Sequence, residues 1–500
     1  MSVATERPAT FASLNPATGE VVAEHPVHDP AAVADTVERA RAAARWWRAL
    51  GWKERRVRLL NIKGALARNL NRMAELIHQE TGKPVQDAQL ETIMAIVHLD
   101  WAARNARKVL GPRTVFPGVA SLNQKAVLEY QPLGVVGVIG PWNYPIFTPM
   151  GSIAYALAAG NAVVFKPSEF TPGVGVFLAE LVAGVVPEQP VLQTVTGLGD
   201  TGAALASSPG IGKIAFTGSA RTAKKVMAAC AANLTPIVAE CGGKDACIVD
   251  ADADLDAAAD AALWGAMANA GQTCIGIERI YVVDRAYDAF LDALTRKARD
   301  LRPGFDREAA YGPITMPAQL DIIERHIKDA LDKGGRAVVG GAESVREPYV
   351  EPVVLTDVPD DSAAVREETF GPTVTVHKVA DLEEALEKAN RTDYGLAGTI
   401  FSGNKRRAMD AARRMRSGMT SINAFASFAM VAALPFGGVG ESGFGRIHGA
   451  DGLREFARPK AITRTRFNLP MNLTSFDRTE KDMARLLQLI NVLHAKRYKR

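Results

Sequence analysis

Three residues have types and settings suited to covalent chemistry. Cys274 lies in the segment NAGQTCIGIER (269–279), between an Ala-rich helical pattern and an apolar strand pattern. The flanking Gly271 and Gly276 permit unusual backbone angles and close approach of a substrate, so a thiolate there is placed to attack an electrophilic carbon. Glu240 closes the apolar run PIVAE and precedes Cys241-Gly242-Gly243-Lys244. A partly desolvated carboxylate at a strand end suits a general base, although the same residue could cap a helix or pair with Lys244. Asn143 stands in GPWNYP (140–145), where two prolines stiffen the loop. Its amide could donate to a developing oxyanion or satisfy its own turn. Cys230, Cys241 and Cys247 read as small packed hydrophobes.

Two further segments have the chemistry of a dinucleotide site. Phe216-Thr217-Gly218-Ser219 ends a strand and opens a helix, where free N–H groups and the helix dipole receive phosphate, though it is not the G-x-G-x-x-G fingerprint. Lys166-Pro167-Ser168-Glu169 follows another strand end. Glu169 there could accept from both ribose hydroxyls and would repel a 2′-phosphate, favouring NAD over NADP.

The elements that must hold these residues alternate in type. NPATGE (15–20) reads as a hairpin turn, and helical patterns then run to about Leu110, including one helix over 31–50 and another over 53–80 that stops at Thr81-Gly82-Lys83-Pro84. From Ala126 strands and helices alternate through 232, and a second alternating series follows from 237. This pattern predicts an α/β fold with two domains built on parallel sheets, their ligands at the carboxyl ends of the strands.

Composition removes other classes. Lys plus Arg number 59 against 55 Asp plus Glu over 500 residues, a balance too even to indicate nucleic acid as a partner. Four cysteines cannot form a disulfide framework, none makes a C-x-x-C pair, and no metal site is expected, which points to a reducing, cytoplasmic setting. The longest apolar stretches are broken by Gly and Asn and fall short of the roughly 20 residues that span a bilayer.

NPATGE, ETGKP, PWNYP, KPSE, FTGS, ECGGK, GQTC, EETFGP and PFGGVGESGFGR occur in an order and at a spacing that resemble the aldehyde dehydrogenase superfamily over nearly the whole chain. The resemblance implies a Rossmann-like cofactor domain, a second α/β catalytic domain and a small β-extension that joins subunits into homodimers or homotetramers. The implied boundaries are 1–122 with 140–242 for the NAD-binding domain, 243–445 for the catalytic domain, 123–139 with 455–470 for the extension, and a tail over 471–500. It implies Cys274 as nucleophile, Asn143 as oxyanion donor and Glu240 as general base. NAD would be held by Trp142, Lys166, Glu169, Gly218, Ser219, Glu368 and Phe370. The implied reaction is NAD(P)+-dependent oxidation of an aldehyde to a carboxylic acid through a thiohemiacetal and a thioester.

Two residues depart from the family pattern: Cys241 replaces the usual Leu, and Ala223 replaces a common Gly one turn after FTGS. Tyr144, Trp264, Met267, Ile275 and Phe425 are expected to line an apolar substrate channel, while Arg279 keeps a carboxylate-bearing substrate such as succinate semialdehyde open. A CoA-acylating enzyme and a non-catalytic NAD-binding scaffold are compatible with the same motifs. In the tail, Met483, Leu486, Leu487, Ile490 and Leu493 recur at helical spacing before Lys496-Arg497-Tyr498-Lys499-Arg500. Such a segment packs on a subunit or touches an anionic membrane surface.

Overall fold

The computed structural model describes residues 9–469 and 475–495, so the five terminal residues lie outside the described residues. Residues 9–110 and 131–458 form one unit, and residues 111–130 with those from 459 onward form another.

In the first unit, Val135–Ile139 (β1), Ala162–Lys166 (β2), Leu192–Thr194 (β3), Ile211–Thr217 (β4) and Ile237–Glu240 (β5) make a parallel sheet in the order β5-β4-β1-β2-β3, with Gly443–Phe444 antiparallel on the β5 edge. β1 and β2 are almost entirely buried, as a strand covered on both faces must be, which is why they read as continuous apolar runs. The strand order reverses between β4 and β1, and the crevice at their carboxyl ends is where such sheets bind nucleotides.

The chain passes from β5 through Cys241–Lys244 directly into a second sheet. Asp245–Val249 (β6), Ile277–Val283 (β7), Arg336–Val339 (β8), Val353–Thr356 (β9), Thr373–Val379 (β10), Ala397–Phe401 (β11) and Met419–Ile422 (β12) lie in the order β8-β9-β10-β7-β6-β11-β12, parallel except where β8 meets β9. Glu240 therefore sits at the junction of the two sheets.

The helical region differs from expectation at one point. The helix expected over 53–80 is two, Gly51–Arg68 and Leu70–Thr81. They break at Asn69, which leaves helical geometry (φ −105°, ψ 16°) and whose Nδ2 donates to Ala65 O at 2.9 Å beside its own backbone N–H at 3.1 Å. Val85–Leu110 (α1) and Phe147–Ala159 (α2) then pack on one another.

The border expected at 139 also moves. Val135–Ile139, assigned from sequence to the β-extension, is β1, the strand on which the cofactor sheet is centred. Arg113–Val115, assigned to the NAD-binding domain, instead pairs antiparallel with Gln124–Pro132. The switch occurs at Leu133-Gly134, where Gly134 has φ +108° and both amides donate to Asn161 Oδ1, at 2.6 and 3.0 Å. Asn161 Nδ2 donates in turn to Ala156 O and Phe456 O, so one fully buried side chain holds a sheet entry, a helix end and a distant segment.

The second unit carries a three-stranded sheet with Gln124–Pro132 between Arg113–Val115 and Ala457–Thr465. It also carries the helix Glu480–His494 (α3), capped by a reciprocal Thr479–Asp482 pair. Among the described residues no helix is long and apolar enough to cross a membrane.

Replacing Asn161 with Ala takes the side-chain acceptor from two half-buried N–H groups and the side-chain donor from Phe456 O, while Ala156 O keeps the Asn161 N–H. We expect Asn161→Ala to lose about 3–5 kcal/mol in denaturant unfolding, and a loss under about 1 kcal/mol would contradict the role of this amide.

Candidate active site

The loop bearing Cys274 is held in a backbone conformation that side chains rarely adopt. Asn269 and Ala270 have φ +56° and Gly271 has φ +69°, three left-handed residues in succession. A Cβ on Gly271 would come within 2.0 Å of Gly371 O, so only glycine fits. Side-chain amides hold the turn. Gln272 Nε2 donates to Asn269 O (2.9 Å) and Pro313 O (3.2 Å), and Gln272 Oε1 accepts from Thr315 N (2.8 Å).

Asn143 joins this loop to the end of β1. Its Nδ2 donates to Gln272 O at 2.9 Å, and Asn269 Nδ2 donates back to Asn143 O at 3.1 Å. The next residue, Tyr144, shares a 2.9 Å hydrogen bond with Thr273 Oγ1. Beneath them lies a fully buried ion pair: Lys83 Nζ donates to Glu91 Oε2 (2.8 Å) and to Asn143 O (2.6 Å). Glu91 Oε1 accepts from Ile146 N and Phe147 N at the start of α2. Neither Lys83 nor Glu91 was singled out from the sequence. The signal was there, since Glu91 stands on the buried face of α1 with Ala88, Thr92, Ala95 and Leu99.

A second buried ion pair, Lys244 with Glu278, holds the opposite wall. Glu278 accepts from Thr369 N and Phe370 N, and Lys244 Nζ donates to Thr369 Oγ1 at 3.1 Å. Phe370 takes φ +52° and meets Trp142 edge-on, ring centres 5.6 Å apart. The Glu368 carboxylate turns into the Cys241–Lys244 turn, where Oε1 accepts from Gly243 N at 3.1 Å and fills the space a Cβ on Gly242 would need. Burial, with Glu278 nearby, pushes Glu368 up to about 8.

Glu240 and Cys274 both line one cavity of about 200 Å³. Both Glu240 oxygens are buried without a hydrogen-bond partner, and burial holds the carboxyl well above the usual carboxylate range against the opposing pull of Arg446. The Cys274 thiol is also pushed up, first by burial and then by Glu368, Asp245 and Glu240, while an N–H from Ile275 acts the other way. Cys241 lines the same cavity beside Glu240, and burial raises its thiol to about 12.

The channel residues divide. Tyr144, Trp264, Ile275 and Phe425 line the cavity, whereas Met267 is buried in the core of the second sheet. Arg279 does not reach the cavity. Its guanidinium donates to Lys244 O (2.9 and 2.6 Å), Ala389 O (3.0 Å), Lys388 O (3.3 Å) and Tyr281 OH (3.2 Å), which leaves it no role in binding a substrate carboxylate.

The cofactor candidates lie along the carboxyl edge of the first sheet: Trp142 after β1, Lys166 and Glu169 after β2, Gly218 and Ser219 after β4. The buried Lys166 Nζ donates to Pro167 O at 2.9 Å and lies 3.7 Å from Glu169 Oε2, which leaves ammonium hydrogens for a sugar hydroxyl. Ser219 Oγ accepts from Thr222 N and bonds Thr222 Oγ1, so it caps the helix Ala220–Ala231, and the first-turn N–H groups are what this end presents to a phosphate. Ala223 is buried on that helix, its methyl accommodated where glycine is usual. Buried ammonium, helix end and aromatic pair fit a dinucleotide.

A family model described as aldehyde dehydrogenase family matches residues 3–462. A 4,4′-diapolycopene aldehyde oxidase of Methylomonas sp is 38% identical over 469 residues, 92% of this chain and 87% of the relative. A probable succinate-semialdehyde dehydrogenase [NADP(+)] of Sinorhizobium fredii is 36% identical over 92% of this chain and 94% of its own. The crystal structure of lactaldehyde dehydrogenase from Escherichia coli superposes with a TM-score of 0.88 at 31% identity, covering 93% of this chain and 97% of that one.

Removing one member of the Lys83–Glu91 pair leaves a buried charge alone. Lys83→Met is expected to lose about 3–5 kcal/mol of stability and about tenfold or more in kcat through the displaced Asn143 loop. Lys83→Met/Glu91→Gln should regain most of the stability in urea unfolding but not the turnover; a double variant no more stable than the single would refute this reading.

Proposed function

The chain belongs to the aldehyde dehydrogenase family, enzymes that oxidise an aldehyde to a carboxylic acid with NAD(P)+, and on that premise we propose that Cys274, Glu240 and Asn143 carry out this reaction on an apolar aldehyde with NAD+ preferred. The observation that carries it is the shared cavity: a partly exposed thiol and a buried, unpartnered carboxyl open onto the same apolar space.

The bound nicotinamide supplies the hydride acceptor. The protein's part begins with the thiol. Cys274 gives its proton to solvent water and its sulfur attacks the aldehyde carbon, while Cys274 N–H and the Asn143 Nδ2 hydrogen not given to Gln272 O receive the oxyanion. Collapse of this thiohemiacetal releases hydride and leaves a thioester on Cys274. Glu240 then takes a proton from water, hydroxide adds to the thioester carbon, and the acid departs as the thiol is restored. Trp142 and Phe370, which meet edge-on, would hold the nicotinamide, Glu368 its ribose, and Lys166 with Glu169 the adenosine ribose. Glu169 is 40% exposed and disfavours a 2′-phosphate, which supports NAD+ even though a similar protein is named for NADP(+).

The cavity wall favours an uncharged substrate. Apolar side chains, Leu90, Met94, Phe147, Phe425, Met430 and Phe436 among them, make most of it, its carboxyls Asp87, Glu91 and Glu240 would repel a substrate acid, and its one ammonium, Lys83, is already paired with Glu91. Glu240 separates this reading from a CoA-acylating one, in which no water need be activated, and the joint presence of Cys274, Glu240 and Asn143 argues against a scaffold. The free edge and exposed faces of Ala457–Thr465 support pairing of subunits into a dimer or tetramer. Four free thiols accord with a cytoplasmic setting.

Cys274→Ala should abolish turnover while leaving NAD+ binding intact, and Glu240→Gln should still release one equivalent of NADH but stall at the acyl-enzyme. Because Glu240 is held high, wild-type deacylation should accelerate as pH rises through its raised pKa, and Glu240→Gln should lose that rise; acyl-CoA formed on adding CoA would instead support the acylating reading. In a kinetic panel, kcat/KM should favour long apolar aldehydes over succinate semialdehyde and NAD+ over NADP+, with Glu169→Gln narrowing the cofactor ratio by about tenfold. A preference for the semialdehyde would overturn the substrate class.

A further inference from the structure

Among the described residues, helix α3 carries an apolar stripe that is at most half-buried. Met483, Leu486, Leu487, Ile490 and Leu493 recur at three- and four-residue intervals, yet no residue of the helix is buried, and Leu487 is 59% exposed. The helix lies beyond residue 462, where the family match stops.

Charge identifies the occupant. Residues 479–500 contain six Lys or Arg (481, 485, 496, 497, 499 and 500) against two acids, Glu480 and Asp482, a net +4 that equals the excess of the whole chain. Residues 1–478 are therefore balanced, and every unit of net positive charge is gathered beside the stripe. Four of those cations follow the helix in the last five residues. Packing on a second copy through the same face would bring +4 against +4. The helix has 15 residues, too short to span a bilayer but ample to lie along one.

We infer that residues 479–500 dock the protein on an anionic lipid bilayer, α3 lying in the interface with its stripe among the acyl chains and the terminal cations among the headgroups. This stands independently of the substrate reading, because it is measured without substrate.

The test is flotation of the full chain with vesicles of phosphatidylcholine alone or mixed with phosphatidylglycerol. The protein should float with the anionic vesicles only and be released by about 1 M salt, where the Debye length falls to about 3 Å. Charge reversal at four positions (Lys496→Glu, Arg497→Glu, Lys499→Glu and Arg500→Glu) should weaken partitioning about a hundredfold or more, and Leu487→Asp/Ile490→Asp should do likewise. Turnover of a short soluble aldehyde should stay within about twofold, showing that both variants fold. Failure to float with anionic vesicles, equal flotation with phosphatidylcholine alone, or variants that float like the parent would each overturn the inference. So would a parent that fails to float while Leu487→Asp/Ile490→Asp lowers its mass in light scattering, since the stripe would then belong to a contact between copies.

Discussion

One buried ammonium organises the surroundings of Cys274. Lys83 is 1% exposed, and its donors go to Glu91 and to the backbone of Asn143. Through Glu91 the same interaction fixes the first amides of α2, and through Asn143 it fixes the loop that carries Cys274. A buried ion pair is a poor source of net stability because desolvation offsets most of its attraction. Its value here is geometric: an unpaired charge at this depth would be so costly that other placements of the 141–147 segment are excluded.

The Lys244–Glu278 pair repeats the device on the other side. Glu278 receives consecutive amides of the 369–370 segment, and Lys244 O takes two donors from Arg279, so the turn between the sheets and the loop carrying Glu368 and Phe370 are set by one charged group. Glu278 binds strained backbone directly at Phe370, and Lys83 reaches the left-handed residues 269–271 only through Asn143 O, which Asn269 Nδ2 also bonds. Phe370 at φ +52° and the three left-handed residues at 269–271 hold their conformations only because buried side chains leave no other satisfied arrangement. Strain of this kind at a reactive cysteine is consistent with a site held ready before substrate arrives.

Local signals placed the candidate residues on their elements. Strand ends and Gly-flanked turns put Cys274, Glu240, Gly218 and Lys166 at sheet edges, since that periodicity follows from burial on both faces of a parallel sheet. The border of the β-extension was not legible in the same way. Val135–Ile139 and Gln124–Pro132 are both apolar and extended, and what separates them is Asn161, 22 residues beyond β1, accepting from Leu133 and Gly134. The role of Arg279 was equally hidden. Proximity to Cys274 in sequence suggested a substrate ligand, but on a β-strand successive side chains point to opposite faces, and this one points to backbone carbonyls of residues that do not line the cavity. Such long-range hydrogen bonding has no local pattern.

The cavity also sets the order of the proposed steps. Cys274, Glu240, Glu368 and Asp245 all have protons held more tightly than usual, chiefly by burial, and Cys274 in addition because Glu368, Asp245 and Glu240 beside it would be negative. Burial makes a first negative charge costly and a second costlier. Thiolate formation therefore works against ionisation of Glu240, and by reciprocity an ionised Glu240 works against the thiolate. Once the sulfur is bound in a thioester its charge is gone, and the field opposing Glu240 falls. The carboxyl is thus a poor base while the nucleophile waits and a better one when an acyl group needs water. In the proposed mechanism, repulsion between the Cys274 thiolate and Glu240 times the base to the intermediate.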